Sequence, residues 1–540
     1  MASRGRRALV GVLFSLVGSL CQLLGALVTT PLIIKGLGKE SYGVWNLVQD
    51  VVGYGSLADL GLGTSTVMHL AQFEGERNAQ AYSNTLHLAK KAVLWQGLVV
   101  CLALVVLVLV FPWFFRAENV SNEVVRWTVL ICGLRVAISL VGMTNKAILK
   151  AVGRYDWLNF QETLGGILMT VTLVIVAAQG ASLIALGLSQ FLVMAVSQLG
   201  FLRSAAQFQD RSLLTTPQDD PELARKLTKY GQSTIWSKLA GRLNSASGSL
   251  ILGFLQGPAS LAYYSPAVSL TARFSTTLGS ALGFLGPVMA RAHGAGDQAS
   301  LRRVFLLSSR FTVCLSLLLA WGFFLHGREF LQAWLDDSDI VARCYPLLVL
   351  LGLSFVVGLP CIPGNSLLLA LGDVELLRRR GVSEAIVCSL LQVVMGWWLG
   401  PLGIVIGTLL SMFAIRGLMQ LSLVGLRLHE KVGTLIVQSY LRPLVCLLPV
   451  MAVGILLKTG FPLGQLRELL LAWGVDVGEP AGRTSRLLAV GEISLHGLVM
   501  AALMGVGCLW LCLDDGARQL VLHRWGGRTN KPIPKNNAET

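Results

Sequence analysis

Charged residues are scarce in this chain of 540 residues, and acidic ones are the scarcest. Only 14% of the residues are charged, with 29 Asp and Glu against 44 Lys and Arg. Soluble domains carry about 25% charged residues. Hydrophobic residues make up 54% of the chain. This composition excludes an ordinary soluble domain and favours a protein that is embedded in a membrane.

Motifs for catalysis, nucleotide binding and metal binding are also lacking. No G-x-x-x-x-G-K-[ST] sequence occurs, so we expect no energy supply from ATP bound to this chain. The seven histidines form no spaced cluster, and the ten cysteines lie mostly inside apolar runs. Cys508 and Cys512 share a helix face, but no histidine or carboxylate joins them there. We therefore expect no catalytic residue, no metal, no cofactor and no enzymatic activity.

Long apolar runs are what the chain has instead. Residues 8–34, 92–115, 344–372 and 493–513 carry no charge, and each run is long enough to cross about 30 Å of hydrocarbon as a helix. The first is too long for a cleavable signal and reads as a retained helix. The pattern predicts helices at 9–34, 42–71, 90–115, 124–149, 158–178, 182–203, 231–256, 260–290, 304–326, 341–371, 382–399, 402–427, 439–459 and 488–513. Fourteen is the expected number, or twelve to thirteen if 439–459 is interfacial.

The chain also repeats itself with a period of about 220 residues. Three glycine junctions recur: Gly38 as Gly257 (257 − 38 = 219), Gly153 as Gly372 (372 − 153 = 219) and Gly180 as Gly400 (400 − 180 = 220). This spacing predicts a duplicated helical bundle, an architecture typical of alternating-access transporters. Each half has an even number of helices, so the pseudo-twofold axis should lie along the membrane normal. Clustered glycines predict a bend in the second helix (Gly53, Gly61, Gly63) and in the eighth (Gly279, Gly283, Gly286).

Lys and Arg concentrate in alternate loops and at both termini, which predicts that both termini are cytoplasmic in the cell inner membrane. The net charge of +15 then reflects topology and attraction to lipid headgroups, and no nucleic acid is expected as a partner. The predicted divisions are lobes at 1–203 and 231–430, a cytoplasmic linker at 204–230, an extra helix pair at 431–514 with an external loop at 461–487, and a basic tail at 515–540. Residues 222–229 are expected to form a short surface helix in the linker.

Residues 31–45 (PLIIKGLGKESYGVW) and 59–65 (DLGLGTS) resemble the N-terminal signature of the polysaccharide transporter family. That family includes flippases for O-antigen of lipopolysaccharide and for other lipid-linked oligosaccharides. It belongs to the multidrug/oligosaccharidyl-lipid/polysaccharide (MOP) exporter superfamily. Residues 153–155 and 255–264 are similar too, and the resemblance covers about residues 5–430. The last two helices resemble the extra pair that lipid II flippases carry.

The resemblance implies two six-helix lobes arranged as a V around a polar cavity that opens to each side of the membrane in turn. It implies as substrate an undecaprenyl-diphosphate-linked glycan, with its headgroup in the cavity and its tail in membrane lipid. The polysaccharide polymerase or ligase machinery is a further expected partner. Two other functions stay open: an ion-coupled multidrug antiporter of the same superfamily, and a membrane glycan polymerase or ligase. An antiporter favours an acidic cavity, and a polymerase needs a sizeable external loop bearing Arg or His.

Five cations inside predicted helices are the candidates for binding the diphosphate, since charge within a membrane is costly and usually faces a cavity or a partner. They are Arg273, Arg242, Lys238, Arg135 and Arg416. A guanidinium suits a diphosphate because it donates two parallel hydrogen bonds and stays charged. The alternatives are an ion pair that stabilises helix packing, or, for Lys238, a side chain that reaches the membrane surface.

Asp59 and Asp50 are the candidates for coupling transport to a proton or a sodium ion. They are nine residues apart on one predicted helix, which puts them on opposite sides of it. Asp59 lies in the family-like motif, and its alternative role is a helix cap or an ion pair at a bend. Glu162 and Glu384 are expected at helix starts, where the helix dipole favours an acid.

Overall fold

The computed structural model describes residues 2–460 and 491–503, except for Leu60, Ala181, Asp219, Glu492 and Leu495. Its described part is helical, with short connections and no strand. The expected external loop at 461–487 and the basic tail at 515–540 lie outside the described residues. The division into lobes, linker and tail therefore stays a prediction.

The first half makes six helical passes. These are α1 (Ala2–Leu37), α2 (Lys39–Gly53) with α3 (Leu62–Gly75), α4 (Ala79–Phe114), α5 (Asn122–Val141) with α6 (Met143–Ala151), α7 (Tyr155–Ala178) and α8 (Leu183–Phe208). A 3₁₀ turn at Tyr54–Asp59 separates α2 from α3. The predicted bend among the glycines of the second helix is therefore confirmed.

The second half makes six corresponding passes. These are α9 (Pro221–Gln256), α10 (Leu261–Ala281) with α11 (Leu285–Gly294), α12 (Gln298–Leu335), α13 (Ser338–Gly358) with α14 (Cys361–Ala370), α15 (Val374–Leu399), and α16 (Pro401–Ser411) with α17 (Gln420–Leu428). A π-helical segment, Met412–Met419, joins α16 to α17. A further pass follows, made of α18 (Val432–Ile436), the π-helical Val437–Leu441 and α19 (Arg442–Gly460).

Ten passes of the described chain are long and apolar enough to cross a membrane. The other three described passes of the two halves, α2–α3, α9 and α10–α11, carry more polar and charged residues. Residues 491–503 are helical where the structure describes them, and the all-helical membrane fold expected from the sequence is confirmed.

Two local predictions are wrong. The expected separate surface helix at 222–229 is part of α9, which runs unbroken to Gln256. The helix begins at Pro221 because the Asp220 side chain caps it, accepting a hydrogen bond from the amide of Leu223 (2.9 Å). Glu162 and Glu384 are not at helix starts. The helices that carry them, α7 and α15, begin at Tyr155 and Val374, more than a turn earlier, because polar first turns extend each helix beyond its apolar run.

The internal repeat is visible in the turns. The glycine pairs predicted from the sequence all adopt positive φ, for instance 86° at Gly38 and 80° at Gly257. L-residues rarely adopt this region, so glycine is the favoured residue at these corners. Asn78 and Asp297 are also 219 residues apart (297 − 78), and each caps the helix that follows it.

The helix packing repeats as well. α1 packs on α7 as α9 packs on α15, α4 on α5 as α12 on α13, and α3 on α6 as α11 on α14. Equivalent neighbours across two independent stretches of chain are what a duplicated six-helix unit requires.

The halves meet along α1, α2 and α3 from the first and α9 and α10 from the second. This seam is not symmetric. α3 packs along α9, whereas the equivalent helices α11 and α1 make at most slight contact in the described part of the chain. One side of the seam is therefore closed and the other is open. We name the two ends of the bundle by their connections: the tight-turn end holds Gly38, Gly257 and Gly400, and the basic end holds Gly153 and Gly372.

Candidate functional site

Three of the predicted arginines lie at one depth. Counted from the tight-turn end of its own helix, each of Arg135, Arg242 and Arg273 is 12 to 14 residues inside, or roughly 20 Å at 1.5 Å per residue. That depth is well within the hydrocarbon thickness of a bilayer. The three arginines come from α5, α9 and α10, so both halves contribute to this level.

Lys238 and Asp59 form an ion pair between the halves, from α9 to the 3₁₀ turn before α3. The other Asp59 oxygen, Oδ1, accepts a hydrogen bond from the amide of Gly63 (2.8 Å) and so caps α3. The N-cap position of α3 is Gly61, so Asp59 acts from two residues earlier, through this bond to a first-turn amide and through its ion pair at the bend. The carboxylate fixes the broken helix and ties it to the second half.

Arg242 makes a second link between the halves. Its Nη2 donates to the backbone carbonyl of Asp50 (2.6 Å) and lies 3.6 Å from the Asp50 carboxylate. A Cβ at Gly53 would lie 2.1 Å from this nitrogen, so glycine leaves the space that the guanidinium occupies. Asp50 and Asp59 thus both face α9 instead of lying on opposite sides of one continuous helix. The 3₁₀ turn between them rotates the second carboxylate to the same side as the first.

Arg135 and Arg273 differ from these, because neither forms an ion pair with a described carboxylate. Arg135 Nη2 donates to the Gln49 side-chain carbonyl (2.7 Å), and its Nε is buried without a hydrogen-bond partner in the described chain. Arg273 Nη1 donates to the Gln22 side-chain carbonyl (3.1 Å), between α10 and α1. Both guanidiniums are held by a neutral amide and keep a full positive charge.

Arg416 lies elsewhere, inside the second half. Its Nε donates to the buried carboxylate of Glu384 (2.7 Å), and Arg380 is 3.9 Å from the other oxygen of that carboxylate. Arg416 belongs to the π-helical segment, a geometry that is frequent at functional sites. Its charge is compensated by Glu384 of the same half, and none of these contacts crosses the seam between the halves.

A cavity of about 710 Å³ lies at the basic end of the first half, and a second one of about 490 Å³ lies at the seam. The seam cavity is lined by Ser139, Lys146, Lys238, Arg242 and Ser245, together with Asp59. Ser139 is one helical turn from Arg135 on the same face of α5. The seam cavity therefore gathers groups from both halves beside the two ion pairs.

An apolar cavity of about 380 Å³ lies beside the open side of the seam. Leu23 and Leu27 of α1, Leu270 and Phe274 of α10, and residues of α12 and of 493–500 line it. Phe274 directly follows Arg273 in the chain. Leu270 precedes Arg273 by three residues and so shares its face of α10, which places this apolar cavity near the side of the helix that carries Arg273.

At the tight-turn end a set of ion pairs that we call the latch joins the halves. Lys35 Nζ lies 2.7 Å from Asp336, and Lys39 Nζ lies 2.8 Å from Asp339 and 3.2 Å from Asp337. Burial raises the pKa of Asp337, but hydrogen bonds from the Ile340 amide and from Lys39 outweigh it, and the pKa lies below its ordinary value. Asp337 is therefore ionised at neutral pH. Below the latch, a Cβ at Gly43 would be 1.8 Å from the Pro258 carbonyl oxygen, so the two backbones touch.

The sequence reasoning missed the latch and the two glutamines. The motif at 31–45 contains Lys35, Lys39 and Gly43, but no sequence pattern assigns a role to any of them. Asp336, Asp337 and Asp339 lie in a short predicted connection that carries no motif. Nothing in the sequence distinguishes Gln22 and Gln49 from other glutamines in apolar helices.

Comparison with known structures gives the same fold. A multidrug resistance MATE family transporter of the MOP superfamily, in an inward-facing conformation, superposes with a TM-score of 0.65 at 17% identity, over 76% of this chain and 95% of the other. The lipid II flippase MurJ, in an inward closed conformation, gives 0.65 at 11% identity, over 91% and 98%. A MOP superfamily transporter from Pyrococcus furiosus, described as having a binding pocket of reverse polarity, gives 0.56 at 16% identity, over 79% and 97%.

No curated protein sequence matches the chain. The sequence profile of a family described as "Polysaccharide biosynthesis protein" matches residues 8–293. That match spans more than half of the 540 residues, and the fold is that of the MOP transporters. The chain is thus a multi-pass membrane protein of the polysaccharide biosynthesis family.

Proposed function

We propose that this protein is a flippase that moves an undecaprenyl-diphosphate-linked oligosaccharide or polysaccharide precursor across the cytoplasmic membrane by alternating access. The family membership and the fold shared with a lipid II flippase support a transporter of this kind. The observation that carries the proposal is the pair of mid-span guanidiniums, Arg135 and Arg273, that neutral amides hold without neutralising.

An uncompensated charge at this depth is costly, so its presence calls for an anion that arrives from outside the chain. A diphosphate supplies such an anion and accepts several charge-assisted hydrogen bonds from guanidinium groups. Arg242 and Lys238 already have carboxylate partners, and they contribute once the headgroup displaces those partners. Arg273 and Arg135 are therefore the first contacts in this proposal.

In this proposal the apolar cavity binds the start of the lipid tail. Its α10 lining includes Leu270 and Phe274, which flank Arg273 along the helix. A substrate with a charged headgroup on Arg273 would have an apolar surface directly beside it for the first isoprene units. Because α11 and α1 make at most slight contact, this side of the seam is open, and a lipid would enter here.

The basic end faces the cytoplasm in this proposal, with both termini there and the latch at the external surface of the inner membrane. Coupling to a proton or sodium ion would use Asp59 and Asp50, which a bound diphosphate releases from Lys238 and Arg242. A multidrug antiporter fits less well, because both aspartates and Glu384 are engaged by cations. We propose no catalytic step. The finished glycan would pass to a polymerase or ligase.

The test is translocation of an undecaprenyl-diphosphate-linked oligosaccharide by the purified protein in proteoliposomes. We expect Arg273→Ala to slow translocation by about tenfold or more, since hydrogen bonds to charged groups are the stronger ones. Arg273→Lys should restore part of the rate, because a point charge lacks the bidentate geometry. The matched control is Arg379→Ala, whose side chain is 70% exposed and paired within α15. A wild-type rate in the Arg135→Ala, Arg273→Ala double variant would refute the proposal.

A further inference from the structure

The two unpaired guanidiniums have the same kind of partner. Gln22 accepts from Arg273 (3.1 Å) and Gln49 accepts from Arg135 (2.7 Å), each through its side-chain carbonyl oxygen. The three other candidate cations contact carboxylates instead. Whether the positive charge of each candidate cation is compensated thus depends on whether an amide or a carboxylate lies beside it.

An amide and a carboxylate accept the same hydrogen bond with different electrostatic consequences. Both fix the direction of the guanidinium, but only the carboxylate cancels its charge. A guanidinium has five N–H donors, so one amide contact leaves the others for a ligand. The buried Nε of Arg135 has no partner in the described chain, which fits a donor that is kept for an incoming group.

Neighbouring groups position the amides. Gln49 Nε2 donates to the Gln190 side-chain carbonyl (3.4 Å) and lies 3.6 Å from Cys132 Sγ, which leaves the Gln49 oxygen facing Arg135. Gln22 lies against α7, where a Cβ at Gly166 would be 3.3 Å from its nitrogen. The hydrogen bonds of its nitrogen thus turn the Gln49 oxygen towards Arg135, and Gln22 has its nitrogen towards α7 and its oxygen towards Arg273.

We infer that Gln22 and Gln49 are positioning residues that make the site selective for a phosphorylated headgroup, by orienting Arg273 and Arg135 without neutralising them. The inference rests on the proposed function, because it explains how that function selects an anionic substrate. Replacing either glutamine by the nearly isosteric glutamate would supply an internal counter-ion. The hydrogen bond would persist, and the attraction for an external anion would be lost.

Matched substitutions separate this role from a purely structural one. Gln→Met keeps the length of the side chain and removes the hydrogen bond, whereas Gln→Glu keeps the hydrogen bond and removes the net charge. If the glutamines serve only packing, methionine should be the more damaging replacement. If they set selectivity, glutamate should be the more damaging one, and only towards anions.

The experiment measures binding of geranylgeranyl diphosphate and of the uncharged geranylgeraniol to the full-length protein in lipid nanodiscs. We expect the wild-type protein to prefer the diphosphate, and Gln22→Glu to bind it at least about tenfold more weakly than Gln22→Met does. Binding of the alcohol should be the same in all three. The Gln49 pair provides a second, independent comparison inside the first half, and retained thermal unfolding controls for folding.

The outcomes separate the two claims. Equal affinity of the wild-type protein for diphosphate and alcohol overturns the proposed function itself. A wild-type preference for the diphosphate that both glutamate variants retain overturns the role of the glutamines and leaves the flippase proposal standing. Methionine variants as weak as the glutamate variants also overturn it, since orientation alone would then account for the effect.

Discussion

At the scale of single residues, the candidate site depends on which charges are paired. The sequence identifies the cations that line the seam between the halves, because a charge inside an apolar run is visible by inspection. It does not identify the partners. Lys238 and Arg242 contact the two aspartates of the opposite half, whereas Arg135 and Arg273 contact glutamines. Pairing depends on helix rotation across a seam of residues that are far apart in sequence, so no local pattern reveals it.

Asp59 combines two roles that substitutions can separate. Asparagine caps a helix about as well as aspartate, whereas alanine does not. We expect Asp59→Asn to retain thermal stability while it frees Lys238 and changes the dependence of transport on pH or sodium. Asp59→Ala should in addition lower stability by about 1 kcal/mol, the typical contribution of such a cap.

The measurements are thermal unfolding in detergent and translocation in proteoliposomes at several pH values and sodium concentrations. If Asp59→Asn shows the wild-type dependence on both ions, Asp59 does not couple transport. If Asp59→Asn is as unstable as Asp59→Ala, the ion pair and not the cap stabilises this turn.

At the scale of helices, the glycine spacing predicted the corners, and the structure bears this out with positive φ at each repeated pair. The bends of the second and eighth passes were also predictable, since glycines crowd both. The positions of helix starts were not. Polar first turns such as 79–90 of α4 and 374–381 of α15 extend helices beyond the apolar runs that hydropathy detects.

The latch connects helices of the two halves, and it contributes little free energy. Its lysines and aspartates are partly exposed, with side-chain exposures of 29 to 50%, and each such pair contributes only about 0.2–1 kcal/mol. If the tight-turn end opens, as the proposed alternating access requires, the latch is too weak to keep it closed alone. The close contact of Gly43 with Pro258 adds to the packing there.

We predict that Lys39→Glu increases the reactivity of a cysteine placed at Ser245, in the seam cavity, towards an impermeant maleimide added from outside the cell. The expected increase is roughly two- to fivefold, the range that a weak exposed pair allows. Asp339→Lys should act in the same direction, and the double variant should return towards the wild-type rate. Lys226→Glu, which changes an exposed pair within α9, is the matched control.

Additive effects of Lys39→Glu and Asp339→Lys, with no recovery in the double variant, would contradict a direct pair. Labelling of Ser245→Cys from the cytoplasmic side only, in every variant, would contradict the assigned role of the latch.

At the scale of the whole molecule, the fold follows the duplication, and the two halves differ most clearly at the candidate site. The neighbours of each helix repeat from one half to the other. The charges do not: the first half supplies both aspartates of the seam pairs and the second half supplies their cations. A period of 219 to 220 residues was enough to predict the two bundles. It predicted nothing about the seam, where the charged residues of the two copies differ.

The central claim is that unpaired guanidiniums between the halves select a phosphorylated lipid headgroup. The most direct test compares two substrates in the same wild-type proteoliposomes, one oligosaccharide carried on undecaprenyl diphosphate and the same oligosaccharide carried on diacylglycerol. We predict that the diphosphate-linked form is translocated at least about tenfold faster, because only it supplies the anion that Arg135 and Arg273 lack. Equal rates for the two forms, or faster movement of the neutral one, would contradict the account.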